Sequence, residues 1–290
     1  MKTILVTGGA GFIGSHLCER LVKDGHKVIS LDNYFTGSKE NHVAGVEYRK
    51  GHTKDIEKHV SETPDIIYNL GEYSRVEISL TEPALVWDLN KDGTFGVLEF
   101  WRKKKCKLVY AGSSTKFGDG GLGRLQSPYA WAKASNTELV QNYGAWYELP
   151  YAITYFYNVY GPRERPASAY GTLIETFRRQ KQAGEKLTVV SPGTQKRNFT
   201  HVDDIVDGLI LVGEKGKGDE FGIGTSKSYS VLEVAKMFGS EVVMLPERKG
   251  NRMDSTLDTS KSEVLGWAPK RKLTDYIREA GRALKDEGAA

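Results

Sequence analysis

Apolar and polar positions along the chain follow two alternating periods. Runs that are apolar at nearly every position, such as ILV at 4–6 and KLVYA at 107–111, mark strands buried on both faces. Between them, apolar residues recur every three or four positions, as one face of a helix requires. The pattern predicts strands at 2–7, 27–32, 46–50, 65–70, 107–112 and 151–157, with helices at 12–24, 82–104 and 128–147. Such alternation builds a parallel sheet covered on both faces. Past residue 160 the texture changes, with more glycine and proline, shorter helices, and the isolated strand candidates KLTVV (186–190) and DEFGIG (219–224). The expected organisation is a doubly wound α/β domain over 1–160 and a smaller C-terminal α/β lobe over 161–290, with a partial, single return to the large lobe.

Composition narrows the class without changing that picture. A chain of 290 residues, 39% hydrophobic and 27% charged, is a folded globular protein. A net charge of +4 mildly favours small anionic ligands and is too dispersed for a nucleic-acid groove. The densest basic run, Arg102 to Lys105, precedes a strand and suits a helix C-terminus, where cations complement the dipole. Cys18 and Cys106 lie far apart, with no paired His/Cys spacing, so neither a disulfide framework nor zinc is expected. The apolar start runs into glycines before reaching the length of a membrane span and reads as a strand, not a signal peptide. A cytoplasmic protein with no membrane and no nucleic-acid partner is the expectation.

ILVTGGAGFIGSHLCERLVKDGHKVISLDN (4–33) carries the first chemistry. It joins a strand, a turn with Gly8, Gly11 and Gly14, a helix, a second strand and a terminal acidic residue, Asp32. Glycine spacing alone is weak evidence, but the strand before it, the helix after it and the acid about 20 residues on make a dinucleotide site of the Rossmann type. Gly8 and Gly11 let backbone approach a pyrophosphate, the helix N-terminus donates N–H groups, and Gly14 permits close helix–strand packing. Asp32 accepts the adenosine ribose hydroxyls and repels a 2′-phosphate, which favours NAD over NADP.

SPYAWAK (127–133) carries the second. Ser127 is a natural N-cap and Pro128 a natural first helical residue. Tyr129 and Lys133 then stand one above the other on one helix face. An ammonium beside a phenol lowers the phenol's pKa toward that of a working general base.

Together with the strand ending in Ser113 and with FYNVYGPRE (156–164), RNFTHVDDIVDG (197–208) and LDTSKSEVLGWAPKRKL (257–273), these motifs resemble the extended short-chain dehydrogenase/reductases, specifically the NAD-dependent nucleotide-sugar epimerase and dehydratase family. The resemblance spans nearly the whole chain. It implies that Ser113 bonds the sugar hydroxyl, with Ser114 as the alternative, that Tyr129 removes its proton, and that Lys133 holds the nicotinamide ribose. It also implies NAD contacts from Phe12, Ile13, Asn33, Leu70 and position 156, here Phe156, beside Gly8, Gly11, Gly14, Asp32 and Lys133. The second lobe becomes the substrate lobe, with Asn158, Arg197, Arg248 and, further on, Arg252 near the pyrophosphate of a nucleotide sugar, a UDP-sugar by family frequency. Helices 82–104 and 128–147 resemble those that form a four-helix homodimer bundle; Phe95, Leu98, Trp101, Leu139 and Tyr143 are its candidates, or else an internal core face.

What this resembled machinery does turns on AGSSTKFGD (111–119). Dehydratases of the family carry a carboxylate pair directly after the catalytic hydroxyl, one to remove the C5 proton and one to protonate the leaving hydroxyl. Here those positions are Ser114 and Thr115, which do not titrate near neutrality and belong to the substrate contacts. The expectation is a 4-epimerase, an isomerase with transient C4 oxidation; a dehydratase, a 4-keto reductase and an NAD-binding regulator are the alternatives. Departures from the family stand out: His52 for the usual Asp, Lys116 beside the shelf, a small Ser255 that leaves room for an N-acetyl group, and NLGEYSR (69–75) for the usual HLAA. That last change introduces Glu72, which either restores acid/base capacity, pairs with Arg75 or orients a sugar hydroxyl.

Overall fold

The computed structural model describes residues 1–113, 123–156, 158–165, 171–246 and 257–287. In chain order its strands are β1 (Thr3–Thr7), β2 (Lys27–Asp32), β3 (Val46–Lys50), β4 (Ile66–Asn69), β5 (Lys107–Ala111), β6 (Tyr151–Tyr155), β7 (Val159–Tyr160), β8 (Leu187–Val190), β9 (Lys196–Asn198), β10 (Thr200–His201), β11 (Gly218–Gly222), β12 (Ser228–Ser230) and β13 (Val242–Leu245). Seven form one sheet in the order β11-β6-β5-β4-β1-β2-β3, and every neighbouring pair is parallel. It is a Rossmann-type doubly wound sheet. The strand order reverses between β1 and β4, and the crevice past the carboxyl ends at such a reversal is where open α/β sheets take ligands.

The centre of the sheet is almost purely apolar, with Ile4, Leu5 and Val6 of β1 and Ile29 of β2 at most 1% exposed. Helix Phe12–Lys23 lays Gly14, Leu17, Cys18 and Leu21, one helical stripe, into the core. Each fully buried aliphatic side chain of this kind contributes about 1.5–3 kcal/mol. Cys18 and Cys106 are free and buried, and burial pushes both thiols up to about 12.

The expected helix at 82–104 is helical throughout but not uniform. Pro83–Val86 and Gly93–Lys104 are α-helical, and Trp87–Asp92 between them forms wider π turns. Insertions of this kind re-aim the side chains around them. Helix Pro128–Trp146 starts as its sequence dictates, with the Ser127 hydroxyl accepting from Ala130 N at 3.1 Å and proline in its first turn.

Two compact units divide the chain. The first comprises Met1–Phe156, Ile205–Ile223 and Asp258–Trp267, and the second the described residues of Tyr157–Asp204, Gly224–Leu257 and Ala268–Ala290. The chain therefore comes back to the first unit twice rather than once, and the first crossing falls at 156, not 160. The first return supplies β11, so the strand candidate at 219–224 is the edge of the main sheet beside β6. In the second unit β8 pairs in parallel with β13, β7 with β10, and β9 antiparallel with β12. Its core is built from Tyr160, Phe177, Leu187, Val189, Val234 and Phe238, among others.

Three of the candidate interface residues are core residues of the chain itself: Leu98 and Trp101 are 0% exposed and Tyr143 is 6% exposed. The Trp101 indole also donates to Cys106 O at 2.8 Å, which fixes it in place. Phe95 is 54% exposed and Leu139 is half-buried. Among the described residues no helix is long and apolar enough to cross a membrane.

Trp101→Ala is expected to lower the unfolding free energy by about 3–5 kcal/mol, the usual cost of emptying a buried aromatic site. Urea denaturation checks this, and the loss should be independent of protein concentration because the ring packs within one chain.

Candidate active site

Two groups of residues sit at the carboxyl edge of the main sheet. The first is built on the turn after β1. Gly8 adopts φ +73°, donates its N–H to Leu31 O at 2.9 Å, and accepts from Gly11 N at 3.0 Å. A Cβ at Gly8 would stand 2.9 Å from Gly71 Cα, and one at Gly14 only 2.1 Å from Gly8 O, so both positions require glycine for close backbone approach. Phe12 and Ile13 are half-buried in the first helical turn, and the Phe12 ring meets His16 edge-on at 6.0 Å.

Asp32 ends β2 beside this turn. Its carboxylate accepts Ala10 N at 3.0 Å and Tyr34 N at 2.7 Å, while Asn33 Oδ1 accepts Phe35 N at 2.9 Å. Burial raises the Asp32 pKa and the two N–H donors oppose that rise. A carboxylate accepts roughly four hydrogen bonds, so capacity remains for a pair of ligand hydroxyls. Thr7 fixes the neighbouring strand end: its hydroxyl donates to Asn69 Oδ1 at 2.7 Å and accepts Leu70 N at 3.1 Å and Gly71 N at 3.0 Å. The glycine cradle and the acid at the next strand end fit a dinucleotide. Phe156 is half-buried directly after β6. His52 has a local role: its Nδ1 accepts Lys54 N at 3.0 Å and its Nε2 lies 3.2 Å from Asp88.

The second group joins Ser113, Tyr129, Lys133 and Glu72. The Tyr129 hydroxyl donates to Ser113 Oγ at 3.2 Å, and both side chains are buried. Lys133, four residues along the same helix, is 4% exposed and turns elsewhere. Its ammonium donates to Glu72 Oε2, to the Tyr110 hydroxyl at 3.0 Å and to Ala111 O. Three N–H donors meet three acceptors. Glu72 is also engaged on both oxygens, Oε1 by the Thr94 hydroxyl and Oε2 by Lys133 and by Tyr110 OH at 3.1 Å. Asn136 Nδ2 closes the set by donating to Thr94 Oγ1 at 3.0 Å and to Asn90 O at 2.8 Å.

This geometry corrects two expectations. Glu72 pairs with Lys133, not Arg75, because the wider turns at 87–92 place Asn90 to hold the segment from both sides: Asn90 Oδ1 accepts Tyr73 N at 2.7 Å and Asn90 Nδ2 donates to Tyr73 O at 3.0 Å. The Tyr129 phenol is also not lowered in pKa by its helical neighbour. Burial raises it first and the Glu72 charge raises it further, while the bond to Ser113 and the charge of Arg75 act in the opposite direction. Tyr110, 0% exposed between Glu72 and Lys133, is held well above the usual phenol range by burial.

Tyr110, Thr94, Asn90 and Asn136 are site residues that sequence reasoning does not single out. A signal exists for two of them, since Asn90 and Thr94 are polar residues one helical turn apart on an otherwise apolar face. In the second unit, Asn158 has φ +49°, its carbonyl accepts Thr200 N at 3.3 Å, and its buried Nδ2 has no hydrogen-bond partner among the described residues. Arg197 lies in β9 opposite Tyr229, with Nη1 on Lys196 O at 2.7 Å. Ser114, Thr115, Lys116, Arg248, Arg252 and Ser255 fall outside the described residues. Among the described residues no cluster of His, Cys, Asp or Glu could hold a metal ion.

Comparison with known proteins identifies the family. A profile described as "NAD dependent epimerase/dehydratase family" matches residues 4–224. A putative UDP-glucose 4-epimerase of Methanocaldococcus jannaschii is 30% identical, with 98% of each chain covered. UDP-glucuronic acid decarboxylase 3 of Arabidopsis thaliana is 31% identical over 94% of this chain and 86% of its own. The crystal structure of a UDP-glucose 4-epimerase from Thermotoga maritima, with UDP-glucose, superposes with a TM-score of 0.89 at 29% identity, covering 98% of this chain and 99% of that one.

Thr94→Val removes the hydroxyl that donates to Glu72 and accepts from Asn136. Two buried polar groups lose a partner, and a loss of about 1–3 kcal/mol is expected in urea denaturation.

Proposed function

Because the chain belongs to the NAD-dependent epimerase/dehydratase family, we propose that it is a nucleotide-sugar 4-epimerase, an isomerase of UDP-hexoses or UDP-N-acetylhexosamines. The observation that carries this reading is the contrast between two sets of groups. A buried Tyr129–Ser113 hydrogen bond is ready for proton transfer to and from one hydroxyl. The groups that water elimination would need are missing or engaged: Ser114 and Thr115 stand where dehydratases of the resembled family carry acids, and both oxygens of Glu72 are taken by Lys133, Tyr110 and Thr94. Glu72 therefore gives poor support to a dehydratase.

Gly8, Gly11, Phe12, Ile13 and Gly14 would line the pyrophosphate side of NAD, Asp32 and Asn33 its adenosine ribose, and Leu70 and Phe156 its nicotinamide side, where Lys133 would reach the ribose only by giving up one of its three hydrogen bonds. When bound, NAD supplies a reversible hydride acceptor for the sugar's C4. Within this reading Ser113 holds the 4-hydroxyl, Tyr129 takes its proton and later gives one back, and the pair is reset after each turnover. Asn158, whose buried amide has no partner among the described residues, and Arg197 would receive the nucleotide diphosphate. A homodimer through the 83–104 and 128–146 helices is part of the reading. Support comes from the exposed Trp87 and Phe95 (53% and 54%) and from Trp131, which stacks on Trp87 at 5.9 Å.

NMR-followed incubation with a panel of UDP-, GDP-, dTDP- and CDP-sugars tests the proposal. Inversion at C4 with no net redox is expected with UDP-glucose or UDP-N-acetylglucosamine. A 4-keto-6-deoxy product, or carbon dioxide released from UDP-glucuronate, would replace it with a dehydratase or a decarboxylase. Tyr129→Phe should abolish conversion while NAD remains bound. Asp32→Ala should weaken NAD about tenfold or more, the worth of a charged hydrogen bond, as read by calorimetric titration.

A further inference from the structure

Lys133 is a buried cation four residues from Tyr129 on the same helix, yet its three donors are spent on Glu72, Tyr110 and Ala111. An ammonium has three N–H groups and no more. The carboxylate that occupies it comes from a different strand end, and the segment carrying it is fixed by two reciprocal bonds from Asn90 to the Tyr73 backbone. The Glu72 carboxylate offsets the Lys133 charge at short range, so Lys133 offers Tyr129 less net positive field than an unpaired ammonium would. Among the described residues, the groups that act on the Tyr129 phenol are Ser113 after β5, by a hydrogen bond, Glu72 and Arg75 by charge and the Tyr73 ring edge-on from the segment after β4, with Tyr110 of β5 also coupled to it.

We propose that Glu72 is a positioning residue that captures Lys133 in a closed, charge-neutral knot with Tyr110 and Thr94, so that the charge on Glu72 sets the proton affinity of Tyr129. This rests on Tyr129 being the proton-transfer group of the reading above. A negative charge near a phenol opposes the phenolate, and the sign of the effect follows: removing the charge makes Tyr129 a stronger acid.

The test is a tyrosinate absorbance titration on the full chain as purified, repeated with saturating NAD. Subtracting the same curve for a Tyr129→Phe version of each protein isolates the one phenol. Glu72→Gln and Glu72→Ala are both expected to move its ionisation down by about one pH unit, the scale of one charge at short range. Glu72→Ala removes the charge without leaving a buried amide, so that variant carries the test if the glutamine protein does not fold. Glu72→Asp keeps the charge and should titrate near the wild type even if it is less stable; a purely structural role would treat all three alike. The acid limb of kcat/KM should shift by the same amount. An unchanged or upward-moving titration in the uncharged variants, or aspartate behaving like glutamine, overturns the proposal. The titration needs no turnover, so a wild-type protein that converts no nucleotide sugar would sink the epimerase reading and leave this result standing by itself.

Discussion

An ammonium and a carboxylate taken out of water together are the constraint around which the edge of this sheet is arranged. Lys133 and Glu72 have side chains only 5% and 6% exposed. Burying either charge alone would cost several kcal/mol, so each requires the other and both require further hydrogen bonds. Tyr110, Thr94 and the Ala111 carbonyl supply those bonds, and Asn136 in turn supports Thr94. The knot ties together four pieces of chain: the segment after β4, the end of β5, the helix that begins at Gly93 and the helix that begins at Pro128.

The π turns at Trp87–Asp92 belong to the same arrangement. They place Asn90 where its side-chain amide matches both the N–H and the C=O of Tyr73, in the manner of a strand partner. Lys91, on the next position, reaches Ser135 at 3.0 Å and Asn136 at 2.8 Å on the facing helix. Polar bonds of this sort are strong where water is excluded and costly where one partner is missing. A change at any member is therefore felt by the others.

Against this polar knot the glycine turn makes the opposite use of space. Its function is to have no side chains: Gly8 against Gly71 and Gly14 against Gly8 are approaches that no Cβ permits. One edge of the sheet thus holds a backbone cradle free of side chains and ended by Asp32 and, two strands over, a cluster of hydrogen-bonded side chains around Lys133 and Glu72. The family resemblance accounts for the first and for the Tyr129–Ser113 pair. Glu72 departs from the pattern of the resembled family, and it is the carboxylate that holds Lys133.

Local rules made much of this legible from the sequence. The six leading strands, the helix starts at Phe12 and Pro128, the glycine turn and Asp32 all depend on residues within a few positions of one another, and period, caps and φ preferences report such things directly. The placement of β11 at the sheet edge, the second return of the chain and the burial of Trp101 and Tyr143 depend on partners far away in sequence, which periodicity does not reveal. The same is true of Glu72. Its acidity and its place after β4 are written in the chain, but residues 61 positions apart decide whether it meets Arg75, a sugar or Lys133. Only the folded molecule settles that choice, because a buried charge takes whichever partner the packing leaves within reach.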